Sequence, residues 1–294
     1  MRRASARPTK DEKTLTREDL RKVGNIFAVE LRLLVSNYYQ VQTMRKRMDM
    51  QLRHLGDRQM LGISLQGPEI FSGWESSLAK EFKHIMRDDP VACWAMAQRG
   101  IGHIITAGLL AHIDIERAPT VGHIWRFAGL VPKELIKYGK GQKRPFNREL
   151  QVICWNAGQC FMKQSNDPDC FYGKLYREKK REYIARNEAG GFAEKAKVYA
   201  GVEDPANKAL LAKGMVPAAY IDTCARRFAV KIFLSHLHTV LYWQHYKAAP
   251  PAPPYALSIL GHAHEIEIPH ISMFPGLAEA LAARRSGGFQ QAAE

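Results

Sequence analysis

Apolar side chains recur every three or four positions along the first long segment of the chain. Eleven of them keep this spacing between Thr16 and Gly56: Leu20, Val23, Phe27, Leu31, Leu34, Tyr38, Val41, Met44, Met48, Leu52 and Leu55. The spacing marks one face of an α-helix, and Thr16 with Asp19 forms a Thr-x-x-Asp helix start. A helix of this length would extend about 60 Å, which predicts a coiled-coil-like arm and favours a homodimer. Two packed helices broken near Gly24 are the alternative.

Beyond this segment the pattern predicts a mostly α protein, because helical spacing recurs and no alternating strand series is present. The glycine-containing residues 57–77 predict a connector. Helices are expected at about 78–88, 90–98, 103–113, 120–129, 146–164, 170–189 and 217–247. The sequence AAPPAPP at 248–254 breaks the chain, and a short extended tail is expected after it.

These elements divide the chain into four predicted parts. Residues 1–15 form a flexible basic tail, and residues 16–77 form the coiled-coil-like arm with its connector. Residues 78–247 form a helical domain, and residues 248–294 form the Pro-rich break with the C-terminal tail.

Positive charge is the strongest compositional feature of the chain. Lys and Arg number 43 against 29 Asp and Glu, which gives a net charge of +14 and a pI near 9.6. Such an excess favours a polyanionic partner, nucleic acid first and an anionic membrane surface second. No apolar run approaches the ~18 residues of a membrane span, the basic N-terminus has no secretory core, and the five cysteines are scattered. We therefore expect a protein of the reducing cytoplasm without a membrane segment.

A Gly-Ile-Gly sequence lies between two predicted helices, within RGIGHIITAGLLAHI at 99–113. The glycines permit a tight turn, and they leave no side chain between a phosphate and the first amides of the second helix. Ile101 would fill the space between the two helices. The pattern predicts a helix-hairpin-helix over about 90–113, and an ordinary tight corner is the alternative. The nucleic-acid-binding residues expected in this turn are Arg99, Gly100, Ile101, Gly102 and His103.

A longer stretch around this turn is similar to a known protein family. GIGHIITAGLLAHIDIERAPTVGHIWRFAGLVP at 100–132, followed by FNRELQVICWNAGQ at 146–159, resembles part of the C-terminal domain of RuvC-type insertion-sequence transposases guided by a bridge RNA. Two features of that family are missing here. The N-terminal 90 residues do not predict the family's sheet-based domain with four carboxylates. The loop after Ala-Gly-Leu-x-Pro lacks the nucleophilic serine, and Tyr138 stands in its place.

The order of elements is closer to a related group of proteins. The same domain type resembles the Nop domain of box C/D small nucleolar RNA proteins, in which a coiled coil precedes the RNA-binding domain. It also resembles the Tas proteins of tandem interspaced guide RNA systems in prokaryotes and their viruses, whose short form carries no nuclease. This resemblance implies a Nop-like helical domain that binds a guide RNA and a DNA target, without catalysis or cofactor. The alternative is a divergent transposase whose nuclease part is lost or supplied in trans.

Cations concentrate between residues 133 and 186, where 13 Lys and Arg accompany 6 Asp and Glu. This is half of the net charge of the chain, and clustered cations suit a phosphate backbone. The expected contacts in the loop and the next helix start are Lys137, Lys140, Lys143, Arg144, Asn147 and Arg148. Those on the following helices are Lys174, Arg177, Lys180, Arg181, Arg226 and Arg227. Tyr172, Tyr176 and Tyr183 lie among them, either as core residues or as platforms for base stacking.

Histidines near the C-terminus do not predict a metal site. His262, His264 and His270 lie in GHAHEIEIPH, and His236 and His238 lie in the last predicted helix. No known zinc spacing fits them, since helical geometry places His236 and His238 on different faces. We therefore predict no metal ligand. The missing carboxylate cluster and the missing loop serine predict that the chain has no catalytic residue.

Overall fold

A computed structural model describes residues 26–54, 67–132, 138–139, 141–198, 205–250 and 266–288. These residues form eleven α-helices and one short 3-10 helix, and they contain no β-strand. In chain order the helices are α1 (Ile26–His54), α2 (Gly67–Ile85), α3 (Pro90–Ala97), α4 (His103–His112), α5 (Val121–Phe127), α6 (Arg148–Lys163), α7 (Phe171–Glu188), α8 (Ala193–Val198), α9 (Pro205–Ala212), α10 (Ala218–Tyr246), the 3-10 helix (Ile271–Met273) and α11 (Leu277–Gly288). The prediction of a mostly α protein is confirmed.

The first two helices form an antiparallel pair. The ring of Tyr38 on α1 meets Phe82 of α2 edge-on, with centroids 5.8 Å apart. Further along α1, Arg45 Nε donates to Glu75 Oε1 of α2 over 2.5 Å. Because the contacts advance along α1 as they recede along α2, the two helices run in opposite directions.

Two features of the predicted N-terminal arm differ in the structure. The connector predicted over 57–77 is helical from Gly67, because the Pro and Glu that follow it suit the first turn of a helix. The predicted boundary at residue 77 therefore falls inside α2. The described part of α1 also packs within the chain, since Leu31 and Val35 are buried in the same core as the later helices. Residues 16–25 of the predicted arm lie outside the described residues, as does the predicted tail at 1–15.

The long helix α10 lies at the centre of the molecule and packs on α3, α5, α6 and α7. The ring of Phe233 on α10 stacks on Trp94 of α3, with centroids 6.0 Å apart, and it meets Phe161 of α6 and Tyr172 of α7 edge-on. All four side chains are fully buried. Large aromatic side chains bury much apolar surface, so this junction is a main source of stability. It fixes the relative positions of α6 and α7.

The tyrosines of α7 belong to this packing. Tyr172 and Tyr176 are buried, and Tyr183 is half-buried against Phe192, with ring centroids 5.9 Å apart. Of the two alternatives from the sequence, the core interpretation is therefore correct.

The C-terminal segment packs on the core, although a tail was predicted over 248–294. Trp94 Nε1 donates to the Pro269 carbonyl oxygen over 2.7 Å. Leu277 and Leu281, one helical turn apart on α11, are both buried. The prediction of an extended tail is wrong for this segment. Two apolar residues one helical turn apart are enough to anchor a helix on an existing core, even in a stretch rich in glycine and proline.

Candidate nucleic-acid interface

The Gly-Ile-Gly sequence forms a short turn between α3 and α4, so the predicted pair of helices is present. The turn begins where Ile101 N donates to the Gln98 carbonyl oxygen over 2.9 Å. The Ile101 side chain is buried between the helices, as the sequence predicts. Gly102 is the N-cap residue of α4.

The two glycines of the turn have different roles. Gly100 has φ +96°, a left-handed conformation that favours glycine, and an added Cβ would lie 3.4 Å from Gln164 Oε1. Gly102 has φ −93° and ψ 173°, an extended conformation open to any residue, and an added Cβ would meet nothing within 4 Å. Nothing in the described chain therefore requires glycine at position 102.

The first amides of α4 lie directly behind Gly102. The N–H groups of His103, Ile104 and Ile105 have no acceptor within the helix, as in the first turn of any α-helix. No side chain caps them. Gly102 itself is exposed, so an anion approaching α4 along its axis meets backbone donors at the positive end of the helix dipole.

Arg99 and His103 flank these amides unequally. The Arg99 side chain is 62% exposed, and its Nε donates to Asp167 Oδ2 over 2.7 Å. His103 is half-buried, and burial together with the charge of Lys83 lowers its pKa. His103 is therefore neutral at pH 7, and Arg99 is the cation of the turn.

Two cations of α7 lie beside the same turn. Arg177 Nη1 is 3.5 Å from Asn166 Oδ1, in the loop that also holds Asp167. The pKa of Asp167 is lowered most by a hydrogen bond from the Asp169 amide and next by the contact with Arg99. Lys174 is close enough for its charge to lower this pKa further. We call Arg99, Gly102, Lys174 and Arg177 the hairpin patch. Arg181 continues it one turn further along the exposed face of α7.

Lys180 and Arg226 are engaged inside the protein. Lys180 Nζ lies 2.8 Å from Asp222 Oδ1, and Arg226 Nε lies 2.8 Å from Asp222 Oδ2. The Tyr176 hydroxyl also donates to Asp222. Burial raises the pKa of Asp222, but these contacts lower it overall, so the carboxylate stays charged. The contacts of Lys180 and Tyr176 with Asp222 fasten α7 to α10, and the Arg226 contact lies within α10. The neighbouring Arg227 is exposed.

The second group of predicted residues lies around the start of α6. Lys143, Arg144 and Arg148 are exposed. Asn147 is the N-cap of α6, where its Oδ1 accepts from the Leu150 amide over 2.9 Å, so its side chain is used by the fold. We call residues 141–148 the basic loop. Lys137 and Lys140, which the sequence places with them, lie outside the described residues.

The hairpin patch and the basic loop lie at opposite ends of α6. Gly100 is next to Cys160 and Gln164 at the C-terminal end of α6, whereas the basic loop leads into its N-terminus. α6 has 16 residues and is therefore about 24 Å long. One strand of a duplex rises about 3.4 Å per nucleotide along the helix axis, so this distance corresponds to roughly seven nucleotides of such a strand.

The outward face of α6 connects the two groups of cations. Positions spaced by three or four residues place Arg148, Val152, Trp155, Gln159 and Lys163 on this face. The opposite face is buried and holds Leu150, Ile153, Cys154, Ala157 and Phe161. The Trp155 side chain is 59% exposed. Trp155 is not among the residues predicted from the sequence, although its helical spacing from Arg148 places it on the polar face.

The described residues contain no group of three or more His, Cys, Asp or Glu side chains that could hold a metal ion. His236 and His238 are buried and hydrogen-bonded to the carbonyl oxygens of Ile266 and Ala118. His262 and His264 lie outside the part of the chain that the structure describes.

Tyr138, at the position where the transposase family has its serine, is exposed. Its ring meets Phe146 edge-on, with centroids 6.0 Å apart.

Within the described residues, no helix has both the length and the apolar character that a membrane crossing needs.

Comparison with known proteins finds no match, neither to a family model nor to a curated protein nor to a solved structure. The resemblance of 100–132 and 146–159 to the bridge-RNA-guided transposases, and that to the Tas proteins, therefore stay predictions.

Proposed function

We propose that this chain is a non-catalytic nucleic-acid-binding protein in which the hairpin patch and the basic loop hold a phosphate backbone along α6. The observation that carries this proposal is the presence of glycine at position 102. Its backbone conformation accepts any residue and its surroundings have room for a side chain, yet the position is glycine at an uncapped helix start. An approaching phosphate is a ligand that a side chain there would obstruct.

The surrounding charge supports the same ligand. Arg99, Lys174 and Arg177 surround the turn, and Lys143 and Arg144 are exposed at the other end of α6. Two cationic groups about 24 Å apart fit an extended polyanion better than a small phosphorylated molecule.

The resemblance to the Tas proteins adds the identity of the nucleic acids. We propose that the bound RNA is a guide, that the second partner is a DNA target, and that the protein acts in the cytoplasm of a prokaryote or its virus. Sequencing the RNA that co-purifies with the protein tests this part. A discrete, repeat-derived RNA supports a guide, and random cellular fragments contradict it.

The alternative function is a divergent bridge-RNA-guided transposase whose nuclease part is missing or supplied in trans. The stretch at 100–132 favours it, because that stretch resembles a motif of the transposase family. The protein with its co-purified RNA, matching duplex DNA and Mg²⁺ distinguishes the two proposals. Metal-dependent cleavage that disappears on replacing one acidic residue would establish the enzyme.

A homodimer is also part of the proposal. Val29 and Leu33 lie one turn apart on α1, and both are more than half exposed. Such a face is suited to a second helix pair. Light scattering should give twice the chain mass for the wild type, and Leu33→Glu should shift the protein to a monomer.

Gly102→Asp tests the binding site directly. Aspartate is a good N-cap residue, so this variant should melt at or above the wild-type temperature. Its charge at the first amides of α4 should nevertheless repel a phosphate and weaken RNA and DNA binding at least tenfold. Gly102→Ser is the uncharged control, with a cap of similar size, and it should bind more tightly than the aspartate variant. Equal affinity of all three proteins would show that the turn is only a corner.

A further inference from the structure

The exposed Trp155 is not explained by the packing of α6. Six other residues of this helix are buried, and Trp155 lies on the opposite face with Val152 one turn before it. Within the described residues, the Trp155 ring stacks on no other aromatic ring and carries no cation over its face. A large apolar surface is therefore left open to solvent.

The surroundings of this surface are cationic. Arg148 and Lys163 lie on the same face of α6, about 10 and 12 Å along the axis from Trp155. A flat apolar surface bordered by cations complements a ligand that has both flat apolar faces and negative charge. Nucleic acid has both, on its bases and its phosphates.

We propose that Trp155 stacks on an unpaired base of a single-stranded nucleic acid whose backbone runs from the basic loop to the hairpin patch. This inference rests on the proposed function and narrows its ligand to single strands. In a duplex the base faces are already stacked on each other, and a side chain at its surface meets only base edges, sugars and phosphates. A Trp side chain that faces outward along the path of the backbone can therefore use its ring only where bases are unpaired.

Two substitutions separate stacking from charge. Trp155→Ala should weaken binding of a single-stranded 12-mer by roughly five- to 150-fold, which is the range for loss of one base–aromatic stack. Trp155→Phe keeps an aromatic ring and should recover most of the affinity. Neither variant should change the slope of log K against log salt, because no phosphate contact is lost. Both should melt like the wild type, because the side chain is exposed.

Trp74→Ala is the matched control, since Trp74 is 54% exposed on α2, far along the chain from α6. It should bind the 12-mer like the wild type. Affinities for the RNA 12-mer, the DNA 12-mer and a blunt duplex of the same sequence are measured in parallel. Whichever 12-mer, RNA or DNA, shows the larger loss of affinity on Trp155→Ala is the strand that supplies the stacked base. The affinity for the duplex should fall little.

The outcomes separate this inference from the function on which it rests. Salt-dependent binding that Trp155→Ala leaves unchanged overturns the stacking role and leaves the nucleic-acid-binding proposal standing. Absence of any salt-dependent binding overturns both. Equal losses for duplex and single strand also overturn stacking. A change in molar mass by light scattering on Trp155→Ala, without a loss of RNA or DNA affinity, would instead assign the surface to a second copy of the chain.

Discussion

Arg99 Nε donates to Asp167 Oδ2 over 2.7 Å, and this ion pair joins the turn between α3 and α4 to the loop before α7. Asp167 also accepts from the Asp169 amide over 2.9 Å, which is the largest cause of its lowered pKa. The carboxylate thus organises the loop and at the same time partly neutralises the cation nearest to Gly102. Asp167 therefore stabilises the folded loop but weakens the attraction of Arg99 for an anion.

Asp167→Asn should therefore strengthen nucleic-acid binding. The amide oxygen can still accept from the Asp169 N–H, while the negative charge is removed and Arg99 becomes available to a phosphate. We expect affinity to rise several-fold and the salt dependence to steepen by about one phosphate contact. Fluorescence anisotropy with a labelled RNA at several salt concentrations measures both. Unchanged binding by a variant that melts normally would show that Arg99 is not at the interface.

The double substitution Lys143→Ala with Arg144→Ala tests the basic loop. Loss of two phosphate contacts should reduce the slope of log K against log salt by about two and weaken binding of every sequence alike. Lys208→Ala with Lys213→Ala removes the same charge from exposed positions on and just after α9. If that control pair has an equal effect, the basic loop contributes only to the overall charge.

The two glycines of the turn should respond differently to an added methyl group. Gly100→Ala places a side chain at φ +96° and close to Gln164, so we expect about 1–2 kcal/mol of destabilisation. Gly102→Ala has neither problem and should leave the free energy of unfolding almost unchanged. Urea denaturation of the two variants measures the difference. Equal stabilities would contradict the distinct roles given to the two positions.

Lys180 and Arg226 should contribute more to folding than to binding. Removing their shared partner with Asp222→Ala leaves the two cations without a carboxylate and the Tyr176 hydroxyl without its acceptor, at a cost of about 2 kcal/mol. The same variant releases two cations, so its affinity for RNA at a temperature well below melting should not fall. A loss of affinity without a loss of stability would place Asp222 in the binding site.

The sequence predicts the helices around the turn well because their signals are local. Asp89 caps α3 through its side chain, and Asn147 caps α6 in the same way, so both helices begin within two residues of their predicted starts. The buried face of α6 follows from apolar spacing. The sequence does not distinguish Gly100 from Gly102, because their roles differ through the backbone angle φ, which is positive at Gly100 and not at Gly102.

Long-range pairing explains what the sequence did not predict. Lys180 and Lys143 are both lysines of the basic region 133–186, but Asp222 engages only Lys180, across 42 residues. The anchoring of the C-terminal segment depends on Trp94, which precedes it by 175 residues. Charge counts along the chain contain no information about either contact.

The last prediction concerns acid stability and depends on His236. The Tyr172 hydroxyl lies 2.8 Å from His236 Nδ1, and His236 Nε2 lies 3.1 Å from the Ile266 carbonyl oxygen. A carbonyl oxygen only accepts, so Nε2 carries the proton and Nδ1 accepts from Tyr172. The ring is therefore neutral, and burial lowers its pKa to about 4.

Between pH 6.5 and 4 the unfolded chain binds a proton at His236 and the folded chain does not. The free energy of unfolding must then fall as the pH falls through this range, by about 2 kcal/mol between pH 7 and 5 from this residue. His236→Gln keeps a donor for Ile266 and an acceptor for Tyr172 but does not titrate. Urea denaturation at pH 7 and pH 5 should show a smaller pH effect in this variant than in the wild type. The remaining effect should come from other histidines with a lowered pKa, among them His238, so identical pH effects in the two proteins would exclude His236 as the responsible group.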